Sequence, residues 1–577
     1  MVELFTFTAY FTRSLAASMA GRTMADAVMA IQAASILSYL IFKHYEPQGL
    51  LSLTILLGLI PAILTLVIRP LFATISKSIF CAFTSYYSLI LLYTVIYRLS
   101  PLHPLAKYDG PVLGKVSKWW SSYICAGGKQ HLYYKALHER YGDIVRVGPN
   151  ELSLRDVAAI QSVLGPSGFP KGPSWDNRSQ PPSLIAERDP LLHAHRRKPW
   201  NRGFTSVALK EYEIIIAKRC RQLLDCFGER IRKSEDGRMT LDLSAWISYF
   251  TTDFMGDMAF GGGFELMADG GDIKGIWCLF ESGLKGAAVL GHTSWSLKFL
   301  SRLPWRQSQN INQMRKFART NVTKRLQVGA SRKDLFYHLN DEEGSQTTRP
   351  ARAMLASEGI LAIIAGSDTT ATVLTALFYY LLKEPLIYAR LQAEIDSVFP
   401  PGEDPVDALK LASMKYLNAC INEAMRLQPA VPSGSQRSIA RGAGIKIVGG
   451  HIIPEETQLF VHTYSMQRDP RYFSPAPDSF LPERWISRSV TDDSPDEIDR
   501  RTYVHNTAAF FPFSYGPTIC AGKNLALLEM RMVVCWLLQR IKFEPKEGFR
   551  LEEWEEGLED FFVMKKGSLW VSVSSRK

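Results

Sequence analysis

The stretch at residues 510–531, FFPFSYGPTICAGKNLALLEMR, places one cysteine, Cys520, between Gly516 and Gly522. Behind it Leu525, Leu528, Met532 and Trp536 recur at helical spacing, which predicts a helix that begins at the cysteine. The free N–H groups and the positive dipole end of a helix start stabilise a thiolate. Two glycines leave no side chain to hold a flat ligand off the backbone, and Phe513 can cover one face of such a ligand. The arrangement suits a macrocycle ligated through sulfur; the plain alternative is a buried structural thiol.

Two other stretches combine unusual residue types. At 361–374, LAIIAGSDTTATVL, an uncharged helical run is interrupted by Gly366, Asp368 and two threonines. Glycine lowers helix stability by about 1 kcal/mol relative to alanine and threonine is also a poor helix former, so something must compensate. Ala365 and Thr369 are four apart and share a face. A missing side chain at Gly366 and a hydroxyl at Thr369 would leave room for dioxygen and deliver a proton; otherwise this is a Gly/Thr kink in a packed helix. At 416–432, YLNACINEAMRLQPAVP, Glu423 and Arg426 stand three apart and can pair. An exposed pair of this kind contributes little, and its spacing is common by chance.

Taken in their order along the chain, these stretches resemble the hallmarks of the cytochrome P450 monooxygenases. The resemblance implies that Cys520 is the proximal ligand of haem b and that Asp368 and Thr369 form the acid–alcohol pair that delivers protons for O–O cleavage. It makes Arg484 of FLPERW the third member of a buried structural network with Glu423 and Arg426. HAHRRKPWNRGF, at 193–204, is similar to the helix that holds the haem propionates in fungal members, with His193 and Arg197 on one face, and Arg437 of PSGSQRSIA matches a further propionate contact. The family often has Arg two positions before the cysteine; here it is Thr518, which shifts that work to His193, Arg197 and Arg437. Arg196, Lys198 and Arg202 read as a solvated face.

The implied fold is mostly α, a helical domain with a small β-rich lobe. The implied partners are O2, a hydrophobic substrate and a membrane-bound NADPH-cytochrome P450 reductase, docking around Cys520 near Lys523, Arg531 and the Arg197 helix. GDIVRVGPNELS and FTTDFMGDMAFGG look like a wood-decay basidiomycete member. Such enzymes oxidise aromatic xenobiotics or act in terpenoid and other secondary-metabolite pathways. Two rival readings are an isomerase or dehydratase that uses no O2, and a haem-binding membrane sensor.

These motifs need a scaffold. The chain has 577 residues, 46% of them hydrophobic, enough for a large catalytic domain and an appendage. Its eight cysteines are scattered without metal or disulfide spacing. The net charge of +11 is dispersed and accompanied by no nucleic-acid motif, so it points to a membrane surface or an acidic protein. Residues 49–68 and 78–97 carry no charge and are long enough to cross a bilayer, and 27–42 is a shorter, weaker candidate. The expected organisation is a membrane anchor over 1–100 with two to three transmembrane helices and a haem-thiolate domain over 101–577. The resemblance places it in the endoplasmic reticulum membrane, facing the cytosol; modification of the sequons at Asn177 and Asn321 would contradict that orientation.

Pro101, Pro104 and Pro111 predict a stiff connector between anchor and domain. GDIVRVGPNELSLRD predicts two short strands about a Gly148-Pro149-Asn150 turn, and helical spacing dominates from there to about Gln428. By family position, GPSGFPKGPSWDNR, Ile364, Ala365, 431–434 and VMKKGSLW line the substrate pocket. These offer mainly apolar contacts with no fixed counter-ion, which favours a hydrophobic substrate.

Overall fold

The computed structural model describes residues 23–300, 306–345, 349–486 and 503–576. They form two compact units that divide between Lys107 and Tyr108.

The N-terminal unit is built from three helices, each long and apolar enough to cross a membrane: Met24–Tyr45, Leu50–Leu71 and Ile75–Leu99. The first is longer than its uncharged run suggests. Thr23 and Asp26 form a reciprocal capping box at its start, and the charge of Lys43 in its last turn favours its C-terminal dipole end. Pro61 interrupts the second helix. Lacking an N–H, it cannot serve the carbonyl of Leu57, while the N–H of Ile60 bonds Ile55 through a π turn over Ile55–Leu59 and bypasses Leu56. Both orphaned carbonyls are met from the third helix. The Tyr86 hydroxyl donates to Leu56 O at 2.7 Å and accepts from the Ser38 hydroxyl at 2.6 Å, and the Tyr87 hydroxyl donates to Leu57 O.

In the second unit the axis is the Arg352–Lys383 helix. It too has the length and composition of a membrane span, yet every residue from 370 to 382 is buried within the unit. A helix that is apolar all round belongs in a core. Its main neighbour is the Leu243–Phe260 helix, itself almost wholly buried. The Lys523–Arg540 helix adds Leu525, Leu528, Met532 and Trp536 to the same core.

The predicted hairpin is present, Ile144–Gly148 against Glu151–Leu154. Glu151–Leu154 also pairs in parallel with Gln458–Val461, which pairs antiparallel with Arg437–Ser438. An isolated bridge joins Lys171 to Arg437, so two cations distant in sequence meet at this sheet's edge. Helices dominate from the hairpin to Gln428 as the spacing predicts, with one strand among them in the described residues. Arg238–Asp242 joins Trp570–Ser575 and Ile541–Pro545, an order that needs chain separated by more than 300 residues, here Val571 opposite Leu241. A short strand whose partners are that remote has little local signal of its own.

Candidate active site

The Cys520 loop closes on itself before the helix begins. The N–H of Cys520 donates to Phe513 O at 2.9 Å, and that of Ile519 to Gly516 O at 3.0 Å. Cys520 is exposed only in the sense that it opens into a cavity of about 810 Å³ inside the unit. Burial pushes its thiol above the usual range; the N–H groups of Gly522 and Lys523 and the charges of Arg197 and Lys523 pull the other way, toward the thiolate.

The two glycines of the loop serve different ends. Gly516 sits at φ +68°, and a Cβ there would come 2.1 Å from Leu164 O, so its bareness lets the chain pass and concerns no ligand. At Gly522 an added Cβ would meet nothing nearer than the Phe204 ring at 3.7 Å. Among the described protein atoms nothing demands glycine at 522, and the space in front of it is open for a flat ligand. Phe513 lines the cavity beside it.

On the opposite wall, Ala365 is exposed to the cavity in the middle of a buried helix, and Thr369 lies one turn on. The Thr369 hydroxyl donates to Ala365 O at 2.5 Å. Gly366 does not hollow the helix for a small molecule in the way its sequence suggests: a Cβ there would fall 2.4 Å from the sulfur of Met255, so the glycine admits a side chain of the neighbouring helix. Asp368 differs too. It does not line the large cavity; it is buried on another face and pairs with Lys566 at 3.4 Å. Glu281 lies close by, and burial pushes its carboxyl upward while Lys566 lowers it.

Cations gather at the cysteine end. Arg437 donates to Thr518 Oγ1 at 2.5 Å, and its buried Nε has no hydrogen-bond partner among the described residues. Burial lowers its pKa to about 10. Arg197 donates to Asn201 at 2.9 Å and also lines the cavity. His193 is brought down to about 4, by burial first and then by the charges of Lys171, Arg197 and Arg437. Lys171 was not legible as a site residue. It is 5% exposed, donates to Leu184 O at 2.9 Å, and is drawn down to about 7 by burial and by Arg437. The cluster stands at one cavity with no carboxylate pairing Arg437 among the described residues. A buried guanidinium with an idle N–H fits an anionic ligand group, and Thr518, where an arginine is common, serves instead as a rest for Arg437.

The neighbours of that helix are less solvated than expected. Arg196 is 11% exposed and paired with both Glu187 and Glu358, and Arg202 pairs with Asp341 at 2.9 Å; only Lys198 is fully exposed. Of the two docking candidates outside it, Lys523 is exposed, whereas Arg531 is held by Asn418 at 2.7 Å. The sequon residue Asn177 is half-buried and donates to Ser294 O at 3.2 Å; Asn321 is half-buried and donates to Phe317 O at 2.9 Å.

Glu423, Arg426 and Arg484 meet in a fully buried knot. Arg426 grips Glu423 through two bonds of 2.8 Å, and Arg484 Nε adds a third at 2.9 Å. The Leu481 N–H and Trp485 indole also donate to the carboxylate, and Arg426 reaches the carbonyls of Gln467 and Pro477. Burial alone would raise Glu423; the two guanidiniums outweigh it and hold the carboxyl below its usual range.

The expected pocket segments contribute unequally. Trp175, Ile364, Val431 and Gly434 line the cavity, but of the C-terminal hairpin only Phe562 and Val563 do so; Lys565 pairs with Glu559 and Lys566 with Asp368. A fixed cation is present after all: Arg178 lines the wall.

A family model described as Cytochrome P450 matches residues 111–570. Cytochrome P450 67 of Uromyces fabae is 33% identical over 482 residues, covering 81% of this chain and 85% of its own. Cytochrome P450 monooxygenase FCK2 of Fusarium pseudograminearum is 33% identical over 491 residues, 84% and 85% of the two chains. Tryprostatin B 6-hydroxylase of Neosartorya fischeri is 32% identical over 479 residues, 82% of each.

Proposed function

The chain belongs to the cytochrome P450 family, and from that premise we propose a haem-thiolate monooxygenase that inserts one oxygen atom of O2 into a hydrophobic organic substrate. The observation that carries this reading is the Cys520 thiol, opening into a large internal cavity with helix-start N–H groups and a cationic cluster at the same end. Haem b fits the residues present: Cys520 as ligand, Phe513 and the free space at Gly522 against the ring, and Arg437, Arg197, His193 and Lys171 toward the propionates. When bound, it supplies thiolate-assisted cleavage of the O–O bond.

The chain's own residues then divide the work. N–H donors at Gly522 and Lys523 favour negative charge on sulfur. Thr369 turns from the Ala365 carbonyl to carry a proton into the cavity, and the short wall at Ala365 leaves space for O2. Asp368 is the donor behind Thr369, and since Lys566 holds it away, its part requires that ion pair to open. The apolar wall excludes water and receives the substrate. Glu423, Arg426 and Arg484 brace the fold and do no chemistry. The residues before 101 form a membrane anchor of three helices, set in the endoplasmic reticulum with the domain in the cytosol. Electrons come from NADPH through its P450 reductase, met by Lys523 and the exposed face of the Arg197 helix. A relative named for hydroxylating tryprostatin B supports hydroxylation of an organic small molecule here, an aromatic or a terpenoid-type secondary metabolite.

The test is the absorption spectrum of the dithionite-reduced, CO-treated protein. The wild type should show the red-shifted Soret band of thiolate-ligated haem and Cys520→Ala should lose it; haem without that band in the wild type sinks the reading. Oxygen consumption dependent on NADPH and reductase separates a monooxygenase from an isomerase, and Thr369→Ala should lower product formed per NADPH consumed.

A further inference from the structure

The cavity has a second cationic end. Lys171, His193, Arg197 and Arg437 act on one another electrostatically near Cys520, whereas Arg178 acts on Cys125 and His292. Neither of those neighbours balances its charge. Burial pushes the Cys125 thiol up to about 12 and the His292 imidazole down to about 4, so both are neutral at pH 7. Arg178 itself is brought down by burial only to about 10 and stays charged. Among the described residues no carboxylate pairs with it; its hydrogen bond runs from Nε to Ser174 O at 2.7 Å.

The guanidinium is nonetheless built in place. It lies 4.5 Å from the Trp175 ring centroid and 5.9 Å from that of Phe562, and the two rings meet edge-on at 5.1 Å. Trp175 is fixed in turn by its indole N–H on Ser435 Oγ at 3.1 Å. Phe562 holds a φ of +74°, a conformation bulky side chains avoid, to bring its ring to this corner. The Ile276–Gly291 helix ends in a glycine whose Cβ would come 2.2 Å from Arg178 Nη2. Two aromatic rings, a strained turn and a glycine thus position a charged fork in the cavity wall. Among the described residues lining that cavity the one carboxyl is Glu529, which burial pushes well above the usual carboxylate range, toward its neutral form.

Resting on the monooxygenase reading above, we propose that Arg178 is a specificity-determining residue that anchors a carboxylate on an otherwise apolar substrate and so sets which carbon is turned toward the cysteine end. Charge-assisted, bidentate pairing with a carboxylate is the chemistry a planar guanidinium fork does best, and the dry apolar wall strengthens it.

The experiment uses the full-length, haem-loaded protein and the spin-state change of its Soret band on titration with an anthracene carboxylate and with its methyl ester. The wild type should bind the acid at least ~10-fold more tightly than the ester, the usual scale of one charge-assisted contact. Arg178→Gln should abolish that preference while leaving ester affinity within about threefold, and Arg178→Lys should retain part of it. Equal affinity for acid and ester in the wild type overturns the proposal, as does an acid preference that survives in Arg178→Gln. Haem content and the reduced-CO spectrum are read on the same samples. Loss of haem in Arg178→Gln would move the residue to the cofactor and overturn the proposal alone; absence of the thiolate band in the wild type would instead bring down the monooxygenase reading on which it stands.

Discussion

In the N-terminal unit, each carbonyl that Pro61 releases, at Leu56 and Leu57, is met by a tyrosine hydroxyl; in the cavity wall of the second unit, among the described residues, Arg437 keeps a buried Nε with no partner and Arg178 a fork with no carboxylate. The difference follows from what each region has to face. A helix suited to lipid meets no water there, so backbone groups freed by a proline must be satisfied from within the protein. A binding cavity can leave donors idle, at an expense to the empty fold, because a ligand will use them. Unsatisfied polarity is therefore a flaw in the first unit and a signature in the second.

The sharpest break to that contrast comes from the scaffold of the second unit, where charge is buried and fully matched. Arg426→Ala should strip two of the three guanidinium bonds from the buried Glu423, leaving Arg484 as its one cationic partner, and destabilise the protein by about 3–5 kcal/mol, seen as loss of soluble, haem-containing protein on expression. Survival with normal haem content would show that the knot is dispensable. Next in size is acid sensitivity. His138 bonds Gly142 O and Ser153 Oγ, and burial depresses it to about 4; His131 is depressed to about 3. Their folded values lie below the unfolded one, so the stability they confer is present above pH ~6.5 and is lost as pH falls toward 4, where the unfolded chain takes up protons first. Unfolding free energy should fall across that window by on the order of 3 kcal/mol for His138 alone, read as a falling thermal midpoint, and fall less in His138→Asn.

The remaining two experiments set the regions directly against each other. Tyr86→Phe should lower stability by about 1–3 kcal/mol by stranding a buried carbonyl. Pro61→Ala should remove most of that penalty, because a regular helical turn would again serve Leu56 and Leu57; a double-mutant cycle in detergent reads the coupling. In substrate-free, haem-loaded protein, Arg178→Met should go the other way, raising stability by roughly 1 kcal/mol as an unbalanced buried charge is removed. If both substitutions moved stability in the same direction, the contrast between the regions would fail.

Much of this was written locally. The sulfur ligand candidate, the Glu423–Arg426 spacing, the Ile144–Leu154 hairpin region and the uncharged N-terminal runs each depend on residues within a few positions of one another, and short-range periodicity and turn chemistry expose them. What could not be read was which face a side chain takes once helices pack. Asp368 and Thr369 are neighbours in sequence, yet one faces Lys566 and the other the cavity. The bareness of Gly366 serves Met255, and that of Gly516 serves the Leu164 carbonyl, partners 111 and 352 positions away.

The sequence by itself determined the family, the mostly helical class and the position of the candidate ligand, because those are carried by residue type and spacing along one element. Only the tertiary structure decided that Lys171 lies beside Arg437, that Thr518 receives its side chain, and that Arg178 stands charged between Trp175, Phe562 and Gly291. Each of these joins segments tens to hundreds of residues apart, and a charge's worth is set by what surrounds it in space, which spacing along the chain does not encode.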